Sequence, residues 1–428
     1  MPKIQSPPGM RDFYPDDMRQ QNWLFDAWRD VSRSFGFVEY EGPIFEYLDL
    51  YKLKSGDGIV SELFHFQDRG EREFAIRPEM TPTLARMIAA RANALPRPIK
   101  WFSIPRMCRA EKPQKGRLRE FFQWNADILG LDEMIADAEV IAVVVAFLRR
   151  IGLSPSEAVV KVSSRPLAAR LLESIGIAPE RQGGAFDLID RMTKTPAAEF
   201  DKKWNDEFGG SAPAARLRSV FRQSSLADAE AALGGIDGPA REAFADLWNF
   251  LKAFDVADFC RFDPGVVRGI AYYTGTVFEV HAADRSHRAL AGGGRYDNLT
   301  GLLDGPNVPG VGFGMGDAPI QSLLADLGRT PKLDEALDAF LIDADARFFP
   351  QLMAVANRLR ANGLRADFSY KRQALGKQFK QASSRAARVA VIIGEEFEQR
   401  GELIVKNLAT GQQQAVAIEE LATELSRL

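Results

Sequence analysis

The sequence predicts an α+β fold in which an antiparallel sheet domain is interrupted by a helical insertion and followed by a smaller α/β domain. Up to about residue 155, helix and strand patterns are mixed, with hairpin-like neighbouring strands. Leu, Ala and Phe then recur at spacings of three and four up to about residue 257, with no strand pattern. From residue 337 onward, strand and helix patterns alternate, which is typical of parallel strands joined by right-handed crossovers.

These shifts in pattern predict the domain limits. A polar, proline-containing segment near residues 328–336 separates the last domain from the rest. The predicted parts are the first half of the sheet domain at 1–155, the helical insertion at 156–258, the second half of the sheet domain at 259–327 and the C-terminal domain at 337–428.

The elements of the first part follow from the positions of apolar residues, glycine and proline. Apolar residues at helical spacing predict a first helix that ends at Gly36. Two short strand patterns flank a polar turn between residues 63 and 76. The remaining elements are a helix over 81–94, strands over 99–104 and 120–127, and a buried helix over 131–151.

Strand patterns return after the insertion, so the sheet begun before it is expected to be completed there. The predicted strands cover residues 260–263, 272–281, 288–290 and 311–315. In the C-terminal domain, strands at 340–342, 364–370 and 389–394 alternate with helices at 348–361 and 374–387, and a short helix, two strands and a final helix from residue 418 follow.

Composition restricts the class of protein. The 428 residues include 55 basic and 58 acidic side chains, so the net charge is −3 and any nucleic-acid surface must be a local patch. Cys108 and Cys260 form no CxxC pair, and the three histidines lack metal-ligand spacing, so no disulfide scaffold or zinc site is predicted and no metal ligand is assigned. With no signal-like N-terminus and no apolar run near 20 residues, we expect a cytoplasmic protein that makes no membrane contact.

A strongly basic loop is the first stretch that carries chemistry. Between Arg106 and Arg119 there are six basic residues and one acid, Glu111, and Pro113 and Gly116 force a loop between two strands. Arginine binds phosphate well because its planar fork donates two hydrogen bonds and stays charged. The loop therefore predicts a site for a polyanion such as a nucleotide triphosphate or an RNA end, although a solvated basic hairpin explains its charge alone.

Two further stretches predict a pocket for a small polar ligand. Residues 268–279, RGIAYYTGTVFE, place an arginine beside paired tyrosines on a strand. The glycine-rich runs at 291–299 and 310–317 suit a close approach of a ligand or a backbone, and neither has the GxGxxG spacing of a dinucleotide site. In RPEMT, Glu79 is placed to accept from an ammonium group and Thr81 to cap the following helix.

The C-terminal domain carries a second basic patch. From residue 358 to residue 388 nine basic residues accompany one acid, Asp367, and three aromatic residues are interleaved with them. Such a patch binds backbone phosphates, and its aromatic rings stack on unpaired bases. The predicted RNA-binding residues are Arg365, Lys371, Arg372 and Lys377.

Taken together, these stretches resemble the histidyl-tRNA synthetase family of class II aminoacyl-tRNA synthetases over essentially the whole chain. Residues 36–46 resemble motif 1, whose proline, here Pro43, lies at the dimer interface, and residues 108–130 resemble motif 2. Residues 268–279 resemble the histidine-specific box, with the 291–299 segment beside it, and residues 310–317 occupy the place of motif 3.

The resemblance implies ATP-dependent ligation of L-histidine to tRNA(His) through a histidyl-adenylate, with ATP and Mg²⁺ as cofactors and a homodimer formed by the catalytic domain. The catalytic residues it implies are Arg109 and Arg268, and Arg109, Glu111 and Arg117 bind ATP. The implied histidine-binding residues are Glu79, Thr81, Gln123, Asp127, Arg268, Tyr272, Tyr273 and Tyr296. The C-terminal domain is then the anticodon-binding domain.

Two departures from the family pattern keep alternatives open. Pro319 stands at the motif 3 position that usually holds an adenine-stacking arginine, and Ala271 stands where many relatives carry Asp. One alternative is a non-catalytic, synthetase-like regulatory protein that senses histidine or tRNA. The other is a class II synthetase for a different amino acid, from which the tyrosine-rich box distinguishes the histidine enzyme.

Overall fold

The structure of the chain is a computed structural model. It describes residues 4–427 except 56, 115, 193–194, 211, 222–224, 226, 229–237, 268–272, 285–286, 334–335 and 372. The chain divides into two compact units, Met1–Thr330 and Pro331–Leu428, and each is described by itself.

The first unit is built on a large, mainly antiparallel sheet. Its strands, in the described residues, are β1 (Val38–Glu39), β2 (Phe45–Tyr47), β3 (His65–Gln67), β4 (Glu73–Ile76), β5 (Ile99–Ser103), β6 (Arg106–Cys108), β7 (Glu120–Leu129), β8 (Ala158–Ser164), β9 (Cys260–Phe262), β10 (Thr276–Ala282), β11 (Ala291–Arg295) and β12 (Gly310–Gly316). The order across the sheet is β1-β5-β7-β12-β11-β10-β8-β9, with β6 paired to β7, while β2-β4-β3 form a separate small sheet. Among the described pairs of this unit, only β1–β5 and β8–β9 are parallel.

Helices cover the sheet and form the insertion. They are α1 (Pro15–Ser34), α2 (Leu48–Ser55), α3 (Thr81–Arg91), α4 (Met134–Arg150), α5 (Arg165–Ser174), α6 (Gln182–Arg191), α7 (Ala197–Phe208), α8 (Ala214–Phe221), α9 (Pro239–Ala253) and α10 (Asp317–Asp326). None of the described helices has the length and apolar character needed to cross a membrane.

One face of the sheet is the core of this unit. Side chains alternate along a strand, so Trp124, Ala126 and Ile128 of β7 point to the same side and are fully buried. Trp124 stacks on Trp28 of α1 at 5.9 Å between ring centroids and meets Phe147 of α4 edge-on at 5.5 Å. Because α1 and α4 cover this face, the opposite face is the one left for polar residues.

The second unit is a mixed five-stranded sheet with helices, as its alternating pattern predicts. Strands β13, β14 and β15 are parallel, and β16 and β17 add antiparallel strands in the order β14-β13-β15-β16-β17. Its described elements are β13 (Ala339–Asp343), α11 (Phe349–Ala361), β14 (Ala366–Phe368), α12 (Leu375–Ser384), β15 (Val389–Ile393), α13 (Glu395–Arg400), β16 (Glu402–Asn407), β17 (Gln413–Ala417) and α14 (Leu421–Arg427).

Two sequence expectations differ from the structure. The insertion was expected to begin at residue 156, but Ala158–Ser164 form β8, which pairs with β10 inside the main sheet, and the helices begin at Arg165. A strand was expected at 288–290, whereas β11 begins at Ala291 and runs through the glycines. In both cases hydrogen-bonded pairing with β10 determines which residues form the strand.

Candidate active site

The sheet presents one polar, glycine-rich face across its central strands. Residues paired across neighbouring strands point to the same side, and Asp127 of β7 pairs with Gly312 of β12, which pairs in turn with Gly294 of β11. The side chains of Gln123, Asp127 and Glu279 of β10 therefore lie on the same face of the sheet. The glycines between them leave room above the strands.

A cleft of about 1670 Å³ opens on this face. It runs from the basic loop between β6 and β7, past β11 and β12, to β8, β9 and the helical insertion. Among the residues that line it are Glu62, Arg109, Glu111, Arg117, Phe121, Gln123, Lys161, Asp263, Glu279, His281, His287, Arg288, Gly292, Gly314 and Pro319. Of the predicted site residues, the cleft brings together Arg109, Glu111, Arg117 and Gln123.

Arg109 is fixed at the base of the basic loop. Its backbone N–H donates to the carbonyl of Arg119 at 2.8 Å, and its side-chain Nε donates to the carbonyl of Pro78 at 3.0 Å. The guanidinium lies 5.1 Å from the ring centroid of Phe121, which also lines the cleft. Sequence reasoning missed Phe121, although its place on β7, two residues before Gln123, predicts the same face.

Glu111 and Arg117 form an ion pair within the loop. The second carboxylate oxygen of Glu111 is buried and has no hydrogen-bond partner among the described residues. Burial lowers the pKa of Arg117, and the neighbouring positive charges of Arg288 and Arg109 lower it further. The loop therefore concentrates positive charge that an anion would offset, and it offers one carboxylate oxygen to a donor.

Asp127 forms the centre of a buried network on the same face. Its Oδ1 accepts from the hydroxyl of Tyr296 at 2.6 Å. Burial raises the pKa of Asp127 to about 7, an effect that the Tyr296 hydrogen bond reduces. The charge of Asp127 also acts on Tyr40. Burial, and after it this charge, raises the pKa of the Tyr40 hydroxyl well above the usual value. Tyr40 was missed from the sequence, since nothing in its local pattern places it against β7.

The glycines of β11 and β12 admit these side chains over the sheet. A Cβ atom on Gly314 would lie 2.8 Å from the side-chain amide carbon of Gln123, and one on Gly294 would lie 2.9 Å from the ring of Tyr273. Substitution at either glycine would therefore push a predicted histidine-binding residue away from the strand. The glycine runs were predicted to allow a close approach, and the approaching groups are these side chains.

Glu79 lies between β4 and α3, and Thr81 lies at the start of α3. The side chain of Arg109 donates to the carbonyl of Pro78. Glu79 is therefore the next residue after a contact with the basic loop. Thr81 is the first residue of α3, whose N-cap is Met80 without a side-chain cap hydrogen bond. The capping role expected of Thr81 is therefore wrong, because the helix begins one residue too early for it.

A buried ion pair beneath the network was missed from the sequence. Arg295, at the end of β11, binds Asp137 at the start of α4, with 3.0 Å between Nε and Oδ2. Its Nη1 also reaches Asp297 at 3.2 Å, and Asp297 accepts from the Thr274 hydroxyl at 2.6 Å. Arg295 thus joins the segments that carry Tyr273 and Tyr296.

The remaining predicted residues are placed differently. Arg268 and Tyr272 lie outside the described residues, as does Arg372. In the second unit, Arg365 precedes β14 and its backbone N–H donates to Asp338 at 2.8 Å. Lys371 lies beyond the other end of β14, and Lys377 is on α12. The three described basic residues therefore do not share one edge of the sheet, and the two lysines are exposed.

Comparison with known proteins places the whole chain. Residues 9–318 match the family described as histidyl-tRNA synthetase, and residues 338–428 match the anticodon binding domain. The histidine–tRNA ligase of Opitutus terrae is 39% identical over 427 residues, or 98% of each chain. The chloroplastic/mitochondrial histidine–tRNA ligase of Arabidopsis thaliana is 37% identical and covers 98% of this chain and 86% of its own length.

A solved structure gives the same fold. The histidyl-tRNA synthetase from Nostoc sp. PCC 7120 matches with a TM-score of 0.82 over 99% of both chains at 24% identity, a likeness that shows the fold alone. The predicted fold class and family are confirmed, and these relatives give the regulatory alternative no support. The chain belongs to the histidyl-tRNA synthetase family of class II aminoacyl-tRNA synthetases, which join histidine to tRNA in an ATP-dependent reaction.

Proposed function

We propose that the polar sheet face of the first unit is the site where this chain activates L-histidine with ATP and transfers it to tRNA(His). One observation carries the assignment of the site: the basic loop and the buried Asp127–Tyr296 pair meet on the same face of one sheet, joined by Gln123 of β7. Cations at one end suit a triphosphate, and a carboxyl with hydroxyl partners at the other suits an amino acid bearing an imidazole.

At the cationic end, the reaction depends on position and charge. A histidine carboxylate oxygen forms a bond to the α-phosphorus while the bond from that phosphorus to the bridging oxygen breaks, and pyrophosphate leaves. Arg109, held by Pro78 and Phe121, offsets the charge that develops on the α-phosphate. The unpaired oxygen of Glu111 accepts from the adenine amino group, and Arg117 contacts the phosphates and the tRNA end.

At the other end we place histidine against the buried Asp127–Tyr296 pair, which does not itself line the cleft described above. The network of Asp127 and Tyr296 faces the imidazole, and Gln123 adds a neutral hydrogen-bonding group beside it. Glu79, next to the Arg109 contact, attracts the α-ammonium. The other residues assigned to this pocket are Thr81, Tyr273 and, on the resemblance alone, Arg268 and Tyr272.

Mg²⁺ fits the cleft as a partner of the triphosphate. No group of three or more potential ligands occurs among the described residues, so a dedicated protein cage is not found there. Mg²⁺ is usually held by one or two carboxylates together with substrate phosphates. Glu279, which lies 2.9 Å from His281, is one of several cleft acids that would hold the ion, and the ion would neutralise phosphate charge when bound.

Transfer follows on the same site. A hydroxyl of the terminal tRNA ribose attacks the carbonyl of the adenylate, and AMP leaves. The C-terminal unit, residues 337–428 in the predicted division, binds the anticodon stem-loop through Lys371 and Lys377. The exposed ring of Tyr370, 5.3 Å from Phe368, offers a stacking surface beside them.

A pair of lysine variants tests this anticodon surface. Lys371→Ala should weaken tRNA binding and reduce its salt dependence by about one unit of slope, because one phosphate contact is lost. Arg365→Ala is the matched control, since Arg365 lies at the other end of β14 with Asp338. Equal loss in both variants, measured by filter binding across salt concentrations, would count against the placement.

The proposed oligomer is a cytoplasmic homodimer formed by the catalytic unit. Close to Pro43, the small sheet exposes Phe45, Tyr47 and Phe66, with 43%, 54% and 42% of their surfaces accessible. A contiguous aromatic patch of this kind is typical of a protein interface. Sedimentation should give a dimer that Phe45→Glu converts to monomer, and a monomeric wild-type protein would contradict the proposal.

Histidine-dependent exchange of pyrophosphate into ATP tests the function itself. The wild-type protein should catalyse it with histidine only, and Arg109→Ala should lower the rate by about 10²–10³-fold, because a cation at the reacting phosphate is removed. Arg106→Ala is the matched control, since Arg106 pairs with Glu120 and does not line the cleft. Exchange with another amino acid but not histidine would overturn the specificity.

A further inference from the structure

We propose that Arg288 joins Arg109 and Arg117 as a third arginine beside the basic loop and binds the β- and γ-phosphates of ATP. The proposal rests on the function proposed above and adds a residue that lies in none of the sequence motifs. Arg288 lines the cleft and its side chain is exposed to it, in the segment that leads into β11. No ion pair of Arg288 is found in the described part of the chain, although ion pairs are common among its arginines.

The residues on either side of Arg288 are fixed by contacts with α10 and with the main sheet. The preceding residue, His287, contacts Asp326 near the end of α10, with 3.2 Å between Nε2 and Oδ2. The residues after it soon join the sheet: the backbone N–H of Leu290 donates to the carbonyl of Val280 at 2.7 Å, and Ala291 pairs with Met315 of β12. Arg288 therefore lies between the His287 contact with α10 and the start of β11.

That first turn contributes no side-chain donor of its own to the cleft. Ala318 and Pro319 line the cleft there, and proline also lacks a backbone N–H. A phosphate group in this part of the cleft therefore needs a donor from elsewhere. Arg288, which precedes β11 and lines the same cleft as Ala318 and Pro319, brings a guanidinium to it.

Arg288 also meets the basic loop from the opposite side. A Cβ atom on Gly116 would lie 3.8 Å from Cδ of Arg288, so the stem of this arginine runs along the loop. The charges of Arg288 and Arg109 both act on Arg117 and lower its pKa, after the larger effect of burial. Three guanidiniums thus converge on one side of the cleft, and Glu111 is ion-paired to Arg117.

A polyphosphate is the ligand that this arrangement fits. Three like charges repel one another, and an anion with several oxygens turns that repulsion into attraction. Because Arg109 is held at the base of the loop by Pro78, the more exposed Arg288 is placed for the outer phosphates rather than for the reacting one. Bidentate donation by its planar fork suits a terminal phosphate.

Affinities for ATP and AMP separate this role from others. Calorimetry on the full-length protein should show that Arg288→Ala weakens ATP binding by about tenfold or more, because a charge-assisted hydrogen bond is lost, and leaves AMP binding unchanged. The ATP affinity of Arg288→Lys should lie between those of the wild-type protein and Arg288→Ala. Arg261→Ala is the matched control, since Arg261 lines the far end of the cleft and binds the carbonyls of Asp258 and Cys260.

Pyrophosphate exchange gives the second measurement. In Arg288→Ala the KM for ATP should rise about tenfold while the KM for histidine stays within a factor of two. The inference is overturned if Arg288→Ala binds ATP like Arg261→Ala, if ATP and AMP binding weaken equally, or if only transfer to tRNA slows. Absence of histidine-dependent exchange in the wild-type protein would instead refute the proposed function, so the two failures are distinct.

Discussion

The two ends of the candidate active site are built in opposite ways. At the cationic end, the charges of Arg109, Arg117 and Arg288 come from loops, and 35% of the Arg117 side chain is exposed. At the buried end, Asp127 and Tyr296 come from β7 and the end of β11, and both are almost completely inaccessible. The same sheet face thus carries a solvated electrostatic site and a desolvated hydrogen-bonded site.

This difference teaches which physical term governs each substrate. A triphosphate brings enough charge to be attracted by exposed guanidiniums in water, and small errors in their position matter little. An amino acid side chain is distinguished by matching donors and acceptors in a dry pocket, where an unpaired group costs about 1–3 kcal/mol. We therefore expect the buried end to depend on rigid support and the cationic end on ionic strength.

The largest expected effect comes from removing the support of the buried end. Asp137 is fully buried beneath Arg295, so Asp137→Asn removes the buried carboxylate partner of this arginine and leaves only Asp297, at 3.2 Å. The free energy of unfolding should fall by about 3–5 kcal/mol, measured by urea denaturation. Because Arg295 adjoins Tyr296, the KM for histidine should rise more than the KM for ATP.

An exposed ion pair of the same unit provides the control. Asp30 and Arg150 lie 2.6 Å apart, and about half of each side chain is accessible. Asp30→Asn should cost less than about 1 kcal/mol, because water replaces the lost partner. Similar losses of stability in the two variants would show that the buried pair has no special role.

A pH-dependent effect of similar size is expected at Asp127. Its pKa is about 7 in the folded protein and about 3.8 when exposed, so its contribution to stability is complete below pH 3.8 and is lost as the pH rises to about 7. The free energy of unfolding of the wild-type protein, compared with Asp127→Asn, should therefore fall by about 4 kcal/mol between pH 4 and pH 8.

Tyr296→Phe sharpens this measurement. The Tyr296 hydroxyl donates to Asp127 and reduces the rise in its pKa. Without that donor the pKa of Asp127 should rise further, and the loss of stability should extend to higher pH. A difference between the wild-type protein and Asp127→Asn that stays constant from pH 4 to pH 8 would refute the buried titration.

The fold and the cationic end were largely readable from the sequence because their signals are local. The basic loop needs only its charges, a proline and a glycine between two strands, and β7 and β12 follow from short apolar patterns. β8 was missed, although Ala158–Ser164 alternate in burial, because the pattern borders a long helical segment. Its membership in the sheet depends on pairing with a strand more than a hundred residues later.

The support of the buried end could not be predicted for the same reason. Asp137 and Arg295 are separated by 158 positions, and neither lies in a pattern that predicts its partner. Tyr40 reaches the Asp127 region only because β1 pairs with β5, which pairs with β7. Arg288 lies in none of the sequence motifs, and only the folded sheet brings it to the cleft beside the basic loop.

Salt provides the smallest and most direct test of the difference between the two ends. Raising KCl from about 0.05 to 0.5 M shortens the Debye length from roughly 14 Å to 4 Å, so attraction between ATP and the exposed guanidiniums weakens. At fixed Mg²⁺, the KM for ATP should rise by about threefold to tenfold, while the KM for histidine should change by less than about twofold because Asp127 is buried. Arg288→Ala should show a shallower dependence for ATP, since one exposed charge is absent. An equal salt dependence of both KM values would mean that the two ends are not governed by different physical terms.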